Sequence, residues 1–389
     1  MTITFFSNFL NHHQLPFSLE MVRILGDDYK FVATERIPEE RTNLGYEDMN
    51  SKYDFVIRSY EDEETAYRLG LESDVIIIGS APQKYIKERL KQGKLTIRYS
   101  ERLFKNSLNS FKVIPNVIRF ALYEKRNTFL LCSSAYSAYD FNKVGLYKNK
   151  CYKWGYFPEI KEYKNIEEII NSKNDNSILW VGRFISWKHP EYVIQIAKKL
   201  KENKYNFNIK MIGIGAELDN IEKMIKNNKL EDCIQLLGSM SPNSVREYME
   251  KSKIFLFTSD RGEGWGAVLN EAMNSACAVV ASHEIGSVPF LIKNEENGLI
   301  YEDGNIECLY SKVQSLLDSQ NRCRELGYEA YNTMITQWNP KLAAKRILEL
   351  SKSLLGGNDF NKYKDGPCSK AYIIKDKIER KNGYEENIK

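Results

Sequence analysis

The stretch "IFLFTSDRGEGWGAVLNEAMNSACAVVAS", residues 254–282, decides how the second half of this chain folds. It opens on an apolar run, "IFLF", and passes through a glycine-containing loop, "RGEGWG". It then enters "AVLNEAMNSA", whose apolar residues recur at three and four, and closes on a second apolar run, "AVVAS". Short runs rich in β-branched and aromatic residues read as buried strands, and the three-and-four spacing reads as a helix. A strand, a helix and a strand in this order form a βαβ unit with parallel strands. The "RGEGWG" loop then falls at the carboxyl edge of the sheet, where open α/β sheets take their ligands.

The same alternation continues on both sides. Strand candidates are "ILWVGR", "NIKMIGIG", "IQLLGS" and "GLIY"; between them lie "PEYVIQIAKKLKEN", "AELDNIEKMIKNN" and "SVREYMEKS", all of helical period. The first half repeats the theme with "TITFF", "YKFVAT", "DFVIRS", "DVIIIGS", "LTIRYS" and "TFLLCSS". The fold class is therefore α/β, with two layered domains, a number that suits 389 residues and 42% hydrophobic content. A proline followed by a polar, charged run places a linker at 158–176, between a domain over 1–157 and a second over 177–340. "WNPKLAAKRILELSKSLL" supplies a last helix, 341–355, and two glycines open a polar tail, 356–389, expected to be loosely ordered.

Composition excludes several classes. Lys plus Arg (56) nearly balances Asp plus Glu (52), which does not announce a nucleic-acid binder, and no nucleic-acid partner is expected. Seven scattered cysteines without a CxxC pair fit reduced thiols and a cytoplasmic setting. The N-terminal "MTITFFSNFLNHHQLPF" lacks a cationic region before its short apolar run, so it does not read as a signal peptide, and no run of about 18 apolar residues marks a membrane span. Charge is uneven, however: residues 81–126 hold twelve Lys or Arg against three Glu, interleaved with apolar residues. That segment reads as a solvated helical face or as a peripheral surface for anionic membrane lipid, with nucleic acid third because its aromatic residues look like core anchors.

The chemistry gathers at the carboxyl edges. At the start of the helix after "RGEGWG", near Gly266, Ala267 and Val268, unpaired N–H groups and the helix dipole suit a phosphate. Gly264 and Gly266 allow a ligand close to the backbone. Glu263 precedes the helix and Glu271 lies about 7 Å further along it at ~1.5 Å per residue. The two acids bracket that site and suit hydroxyl-rich neighbours of a phosphate; alternatively they are a dipole partner and a solvated helix residue. In "VGRFISWKHPE", Gly182 and Arg183 are followed by Lys188. These two cations could neutralise a diphosphate, or simply lie on the surface. "MIGIGAE" carries Gly213 and Gly215 as a tight turn; it lacks a full GxGxxG, so it is weak as a dinucleotide site. Asn11, His12 and His13 occupy the first βα loop, suited to polar substrate contact, proton transfer, or to capping and packing. No D-x-D occurs, and His189 and His283 are isolated in sequence, so no metal is expected.

Taken together, "VGRFISWKHPE", "IGIGAE", "LLGSMSPNSV", "FTSDRGEGWGAVLNEAMNSACAVVAS" and "NGLIYEDGN" resemble, in order and spacing, the retaining glycosyltransferases of family 4. The resemblance covers 176–340 and implies the GT-B fold, two Rossmann-like domains facing each other across a cleft. It implies metal-independent transfer of a hexose from a nucleoside diphosphate sugar, UDP-sugar favoured, to a hydroxyl acceptor such as a glycan or lipid-linked intermediate in polysaccharide biosynthesis. No cofactor is implied beyond the nucleotide sugar. Glu263 and Glu271 match the family's E-x7-E pair, on the donor sugar and the ribose. Arg183 and Lys188 match the cations on the diphosphate, and Glu263, Arg183 and Lys188 are the expected catalytic set. Gly182, Gly213, Ser239, Gly264, Gly266, Ala267 and Val268 complete the expected donor contacts, with Ser239 in the loop that holds the base. Asn11, His12, His13, Arg98 and Glu101 are the expected acceptor contacts. Two departures stand out: the first loop is "NFLNHHQLP", not Gly-rich, and Phe290 stands where a Glu is common. Alternatives are a non-catalytic protein of the same fold that binds nucleotide sugars, or a glycoside hydrolase using Glu263 and Glu271.

Overall fold

A computed structural model describes residues 1–39, 47–105, 117, 118, 121 and 127–374. It divides into two compact units: Met1–Glu159 joined by residues 338–374, and Ile160–Gln337.

Among the described residues, the first unit holds a seven-stranded sheet made of β1 (Ile3–Ser7), β2 (Tyr29–Ala33), β3 (Val56–Arg58), β4 (Val75–Ile78), β5 (Thr96–Ser100), β6 (Thr128–Cys132) and β7 (Cys151–Lys153). Their order is β3-β2-β1-β4-β5-β6-β7, and every pair is parallel. The all-apolar β4, "VIII", is wholly buried, as a strand covered on both faces must be. β7 was not expected from the sequence: it has three residues and lies near the end of the first domain, just before the segment read as a linker.

The second unit holds a six-stranded parallel sheet, formed by β8 (Asn174–Val181), β9 (Asn208–Ile212), β10 (Ile234–Leu236), β11 (Ser252–Phe257), β12 (Ala278–Ser282) and β13 (Leu299–Tyr301). The order β10-β9-β8-β11-β12-β13 runs outward in one direction from β8 and in the other from β11. The β8/β11 seam is thus the topological switch point, the place in a doubly wound sheet where neighbouring loops diverge and leave a crevice. Ile178, Trp180, Ile254 and Leu256 from these two strands pack with Val193, Ile196 and Leu200 of the helix Pro190–Glu202 in the unit's core. Buried Trp180 donates its indole N–H to Thr258 Oγ1 at 2.9 Å, fixing the end of β8 against the end of β11.

The segment read as a linker contains the helix Ile166–Asn171, capped by Asn165, and the first residues of β8. The segment read as a loose tail is built into the first unit as far as it is described. Lys153 N–H donates to Ser369 O at 2.7 Å, Cys368 N–H to Lys153 O at 2.8 Å and Ala371 N–H to Cys151 O at 3.0 Å, so this chain runs antiparallel along the edge of β7. Lys153 Nζ pairs with Asp365 at 2.6 Å, and Cys368 is fully buried. The final helix, Pro340–Leu355, packs in the same unit against the helix Leu15–Leu25.

Candidate functional site

In the second unit, the loops leaving β8, β9 and β10 are bonded in series. Gly182 N–H donates to Ile212 O at 3.0 Å, Phe184 N–H to Ile214 O at 2.9 Å and Gly213 N–H to Gly238 O at 2.8 Å. This approach is close enough that a Cβ on Gly213 (φ +139°) would lie 1.9 Å from the Gly182 carbonyl oxygen, and one on Gly215 (φ +157°) 2.3 Å from that of Phe184. The glycines of "IGIG" therefore let one loop lie on another, and Gly213 acts by supporting the Gly182–Arg183 turn. Ser239 is exposed in the next loop, just before Ser241, whose hydroxyl caps the helix Pro242–Lys251.

On the other side of the seam, the β11 loop turns back through Gly266 at φ +80°, where a Cβ would meet the Phe257 ring at 2.3 Å and Glu263 Cγ at 3.2 Å. Buried Trp265 donates its indole N–H to Asn270 Oδ1 at 2.9 Å, tying the loop to the helix it feeds. That helix spans Val268–Asn274, one residue later than read, with Ala267 at its N-cap and no side-chain cap. Glu271 lies in its first turn and is partly buried; burial pushes its carboxyl up to about 7 against the opposing pull of Arg246. Arg246 holds this helix from beneath, donating to Glu271 O at 2.9 Å and to Asn274 Oδ1 at 2.6 Å.

Across the seam itself, Lys188 Nζ is paired with Glu263 Oε2, and both side chains are only about 15% exposed (14% and 15%). Ser259 Oγ donates to the same carboxylate oxygen at 3.4 Å, and the Lys188 ammonium lies 5.6 Å from the centre of the Phe257 ring. Thr258 Oγ1 donates to Lys188 O at 2.6 Å, and Asp260 N–H to Trp187 O at 2.9 Å, so the two loops are stitched along their length. Exposed Arg183 stands over the Trp187 ring at 5.6 Å. Gly182, Arg183, Lys188, Gly213, Glu263 and Gly266 are thus assembled from loops distant in sequence, while Glu271 and Ser239 extend the assembly along the helix and the β10 loop.

One residue of this seam was passed over in the sequence. His189, isolated by spacing, has its Nδ1 2.7 Å from Glu191 Oε1 and its Nε2 3.1 Å from Asp260 Oδ2. Burial opposes its protonation, but the two carboxylates outweigh that and raise its pKa to about 10. The available signal was the run Lys-His-Pro-Glu itself, with the acid two residues beyond the imidazole; Asp260 lies 71 residues away and gave none.

The remaining candidates belong to the first unit. Asn11 Oδ1 accepts from the N–H groups of His13 (3.0 Å) and Gln14 (3.1 Å), an Asx-type turn ahead of the helix Leu15–Leu25, which has no side-chain cap. His13 stacks on Tyr156 at 5.9 Å and 2°, and His12 lies beside it at 3.6 Å. Arg98 donates to Tyr147 OH at 3.2 Å; Glu101 accepts from Tyr156 OH at 2.7 Å and pairs with Lys105. In the basic segment, Arg89 is fully buried and donates to the carbonyls of Ser73, Asp74 and Leu95, while buried Arg102 faces Asp140 at 3.3 Å. These two cations are structural, a correction to the reading of 81–126 as one solvent- or lipid-facing surface. Residues 106–116, 119, 120 and 122–126 of that segment lie outside the described residues. No described helix is long and apolar enough to cross a membrane.

Residues 162–333 match the model of the family described as Glycosyl transferases group 1. That match spans nearly all of the second unit, Ile160–Gln337. An uncharacterised glycosyltransferase of Haemophilus influenzae is 29% identical over 145 residues, covering 37% of this chain and 40% of the relative. The amylovoran biosynthesis glycosyltransferase AmsK of Erwinia amylovora is 26% identical over 182 residues, covering 46% of this chain and 44% of the relative. The chain thus spans less than half the length of these curated relatives. Among solved structures, the Anabaena protein HepE in complex with UDP superposes with a TM-score of 0.68 at 15% identity, covering 91% of this chain and all of that one. The two parallel-sheet units are those of a GT-B glycosyltransferase fold, and the half that matches the group 1 model is the one that holds the β8/β11 seam.

Proposed function

We propose that this chain is a retaining, metal-independent glycosyltransferase that moves a hexose from a nucleoside diphosphate sugar, preferably a UDP-sugar, to a hydroxyl of a glycan or lipid-linked acceptor in polysaccharide biosynthesis at the cytoplasmic side. The observation that carries the reading is the Lys188–Glu263 pair at the switch point, with Arg183 over the Trp187 ring of the same loop as Lys188. A diphosphate is the partner that two cations on adjacent turns suit, because it can take the ammonium from Glu263 and receive the guanidinium in a fork. Glu263, released, becomes an acceptor for sugar hydroxyls next to the diphosphate. Glu271, on the helix and with its pKa near neutrality, meets the ribose end. The UDP bound by the GT-B relative HepE supports the choice of base.

The transfer forms a bond between the acceptor oxygen and the anomeric carbon and breaks the bond from that carbon to the β-phosphate oxygen. The acceptor's proton passes to the departing phosphate on the same face, which gives retention. Lys188 and Arg183 stabilise the charge that develops on the leaving diphosphate; fixed charges aimed at a transition state are usually the largest catalytic term. A hydrolase would leave Arg183 and Lys188 without a task, and a binding protein would not need them together with both acids. The test is release of nucleoside diphosphate from a panel of UDP-, GDP- and ADP-sugars with EDTA present. Release with an acceptor glycan supports the reading, and neither release nor binding of any nucleotide rejects it.

Peripheral docking on an anionic membrane through residues 81–126 would draw on lysines such as Lys87 and Lys94, since Arg89 and Arg102 are committed inside. Co-sedimentation with phosphatidylglycerol vesicles at low salt, released at high salt, is expected; no binding at low salt removes docking from the proposal.

A further inference from the structure

His189 adopts φ 48°, ψ 54°, in the left-handed region that a residue with a Cβ enters at a cost of about 1 kcal/mol or more. Glycine would sit there without strain, so the ring's contacts must offset the conformation. Both ring nitrogens face carboxylate oxygens, Glu191 at 2.7 Å and Asp260 at 3.1 Å. A carboxylate only accepts, so both nitrogens carry protons and the ring is an imidazolium. Tyr192 stacks on it at 4.5 Å and 8°, and Asp303 and Glu284 act on Tyr192 from the β13 and β12 loops. Two carboxylates thus face the ring, while the Arg261 cation acts on Asp260 within the β11 loop.

The two partners of His189 differ in what they connect. Glu191 lies two residues on, in the first turn of the helix whose N-cap is His189, whereas Asp260 belongs to the β11 loop. His189 directly follows Lys188, and Asp260 precedes Glu263 by three residues, so the His189–Asp260 and Lys188–Glu263 pairs are neighbouring rungs between the same two loops. When a diphosphate takes Lys188, its own rung opens and the other remains.

We propose that His189 is a positioning residue whose bond to Asp260 keeps the Lys188 loop in register with the β11 loop once the Lys188–Glu263 pair has opened to admit the donor. The inference rests on the donor reading above. Its test is calorimetric titration of UDP, GDP and ADP into the wild-type chain and the variants H189G, H189N, D260N and E191Q, each checked by circular dichroism to be folded at the assay temperature. H189G and D260N are expected to weaken the best-bound nucleotide about tenfold, whereas E191Q changes it less than about twofold. H189N, which tolerates the left-handed backbone and offers one amide donor, should recover part of the loss. A purely structural role would put E191Q and D260N on the same footing. Equal losses in those two, or H189G binding like wild type, overturns the inference and leaves the donor reading intact. A wild-type chain that binds none of the three nucleotides overturns both.

Discussion

Lys188 and His189 are adjacent, yet only the first was legible in the sequence. Lys188 stands at a fixed interval from a strand end and a glycine, a pattern that depends on local spacing alone. His189 owes its state to a sign of φ and to a carboxylate from another loop, neither of which spacing encodes. Its pH dependence follows from the direction of its shift. The folded pKa, about 10, lies above the ordinary 6.5, so the bridge contributes stability in full below pH 6.5 and loses it as pH rises through 10. The melting temperature of wild type relative to H189G should therefore fall steadily between pH 7 and 10; a difference that stays constant across that window would show that the bridge does not form. Gly266 makes a second residue-scale case. An Ala there combines a positive φ with a Cβ 2.3 Å from the Phe257 ring, and should cost about 2 kcal/mol or more in chemical denaturation. A loss below about 0.5 kcal/mol would mean that the loop reshapes freely.

Elements with a strong period were legible, and short ones were not. β4, β8, β11 and β12 announce themselves as apolar runs because a parallel strand is covered on both faces. β7 has three residues, "CYK", of which only the pairing with β6 and with the C-terminal segment makes a strand. The same blindness produced the loose-tail reading. Residues 356–374 are polar in composition, but their backbone groups complete the edge of β7, and Arg346 donates to Asp365 O at 2.6 Å and Pro367 O at 3.1 Å. An open strand edge is a template for association. Truncation after Gly357 should thus lower the melting temperature and raise aggregation in light scattering; a truncated chain as stable and monodisperse as the full one would show that the edge needs no cover. Arg89 and Arg102 carry a related lesson: a count of charges along 81–126 could not tell a cation that clasps carbonyls inside the unit from one left at the surface.

At the scale of the molecule, the βα alternation was enough to place the "RGEGWG" and "VGRFISWKHPE" loops on one sheet edge. It was not enough to say that their strands are direct neighbours. Strand order supplies that: β8 beside β11 makes the two loops partners at the switch point and turns two candidate motifs into one site. On the function proposed above, that site is where the donor is held, and Lys188 is shared between Glu263 and the donor diphosphate. Calorimetric titration of UDP into the wild-type chain, K188M and E263Q tests it most directly. K188M is expected to lose UDP affinity at least tenfold, and E263Q, with the competing carboxylate neutralised, to bind UDP more tightly than wild type while losing turnover. UDP affinity unchanged in K188M, or weakened in E263Q as much as in K188M, would contradict it.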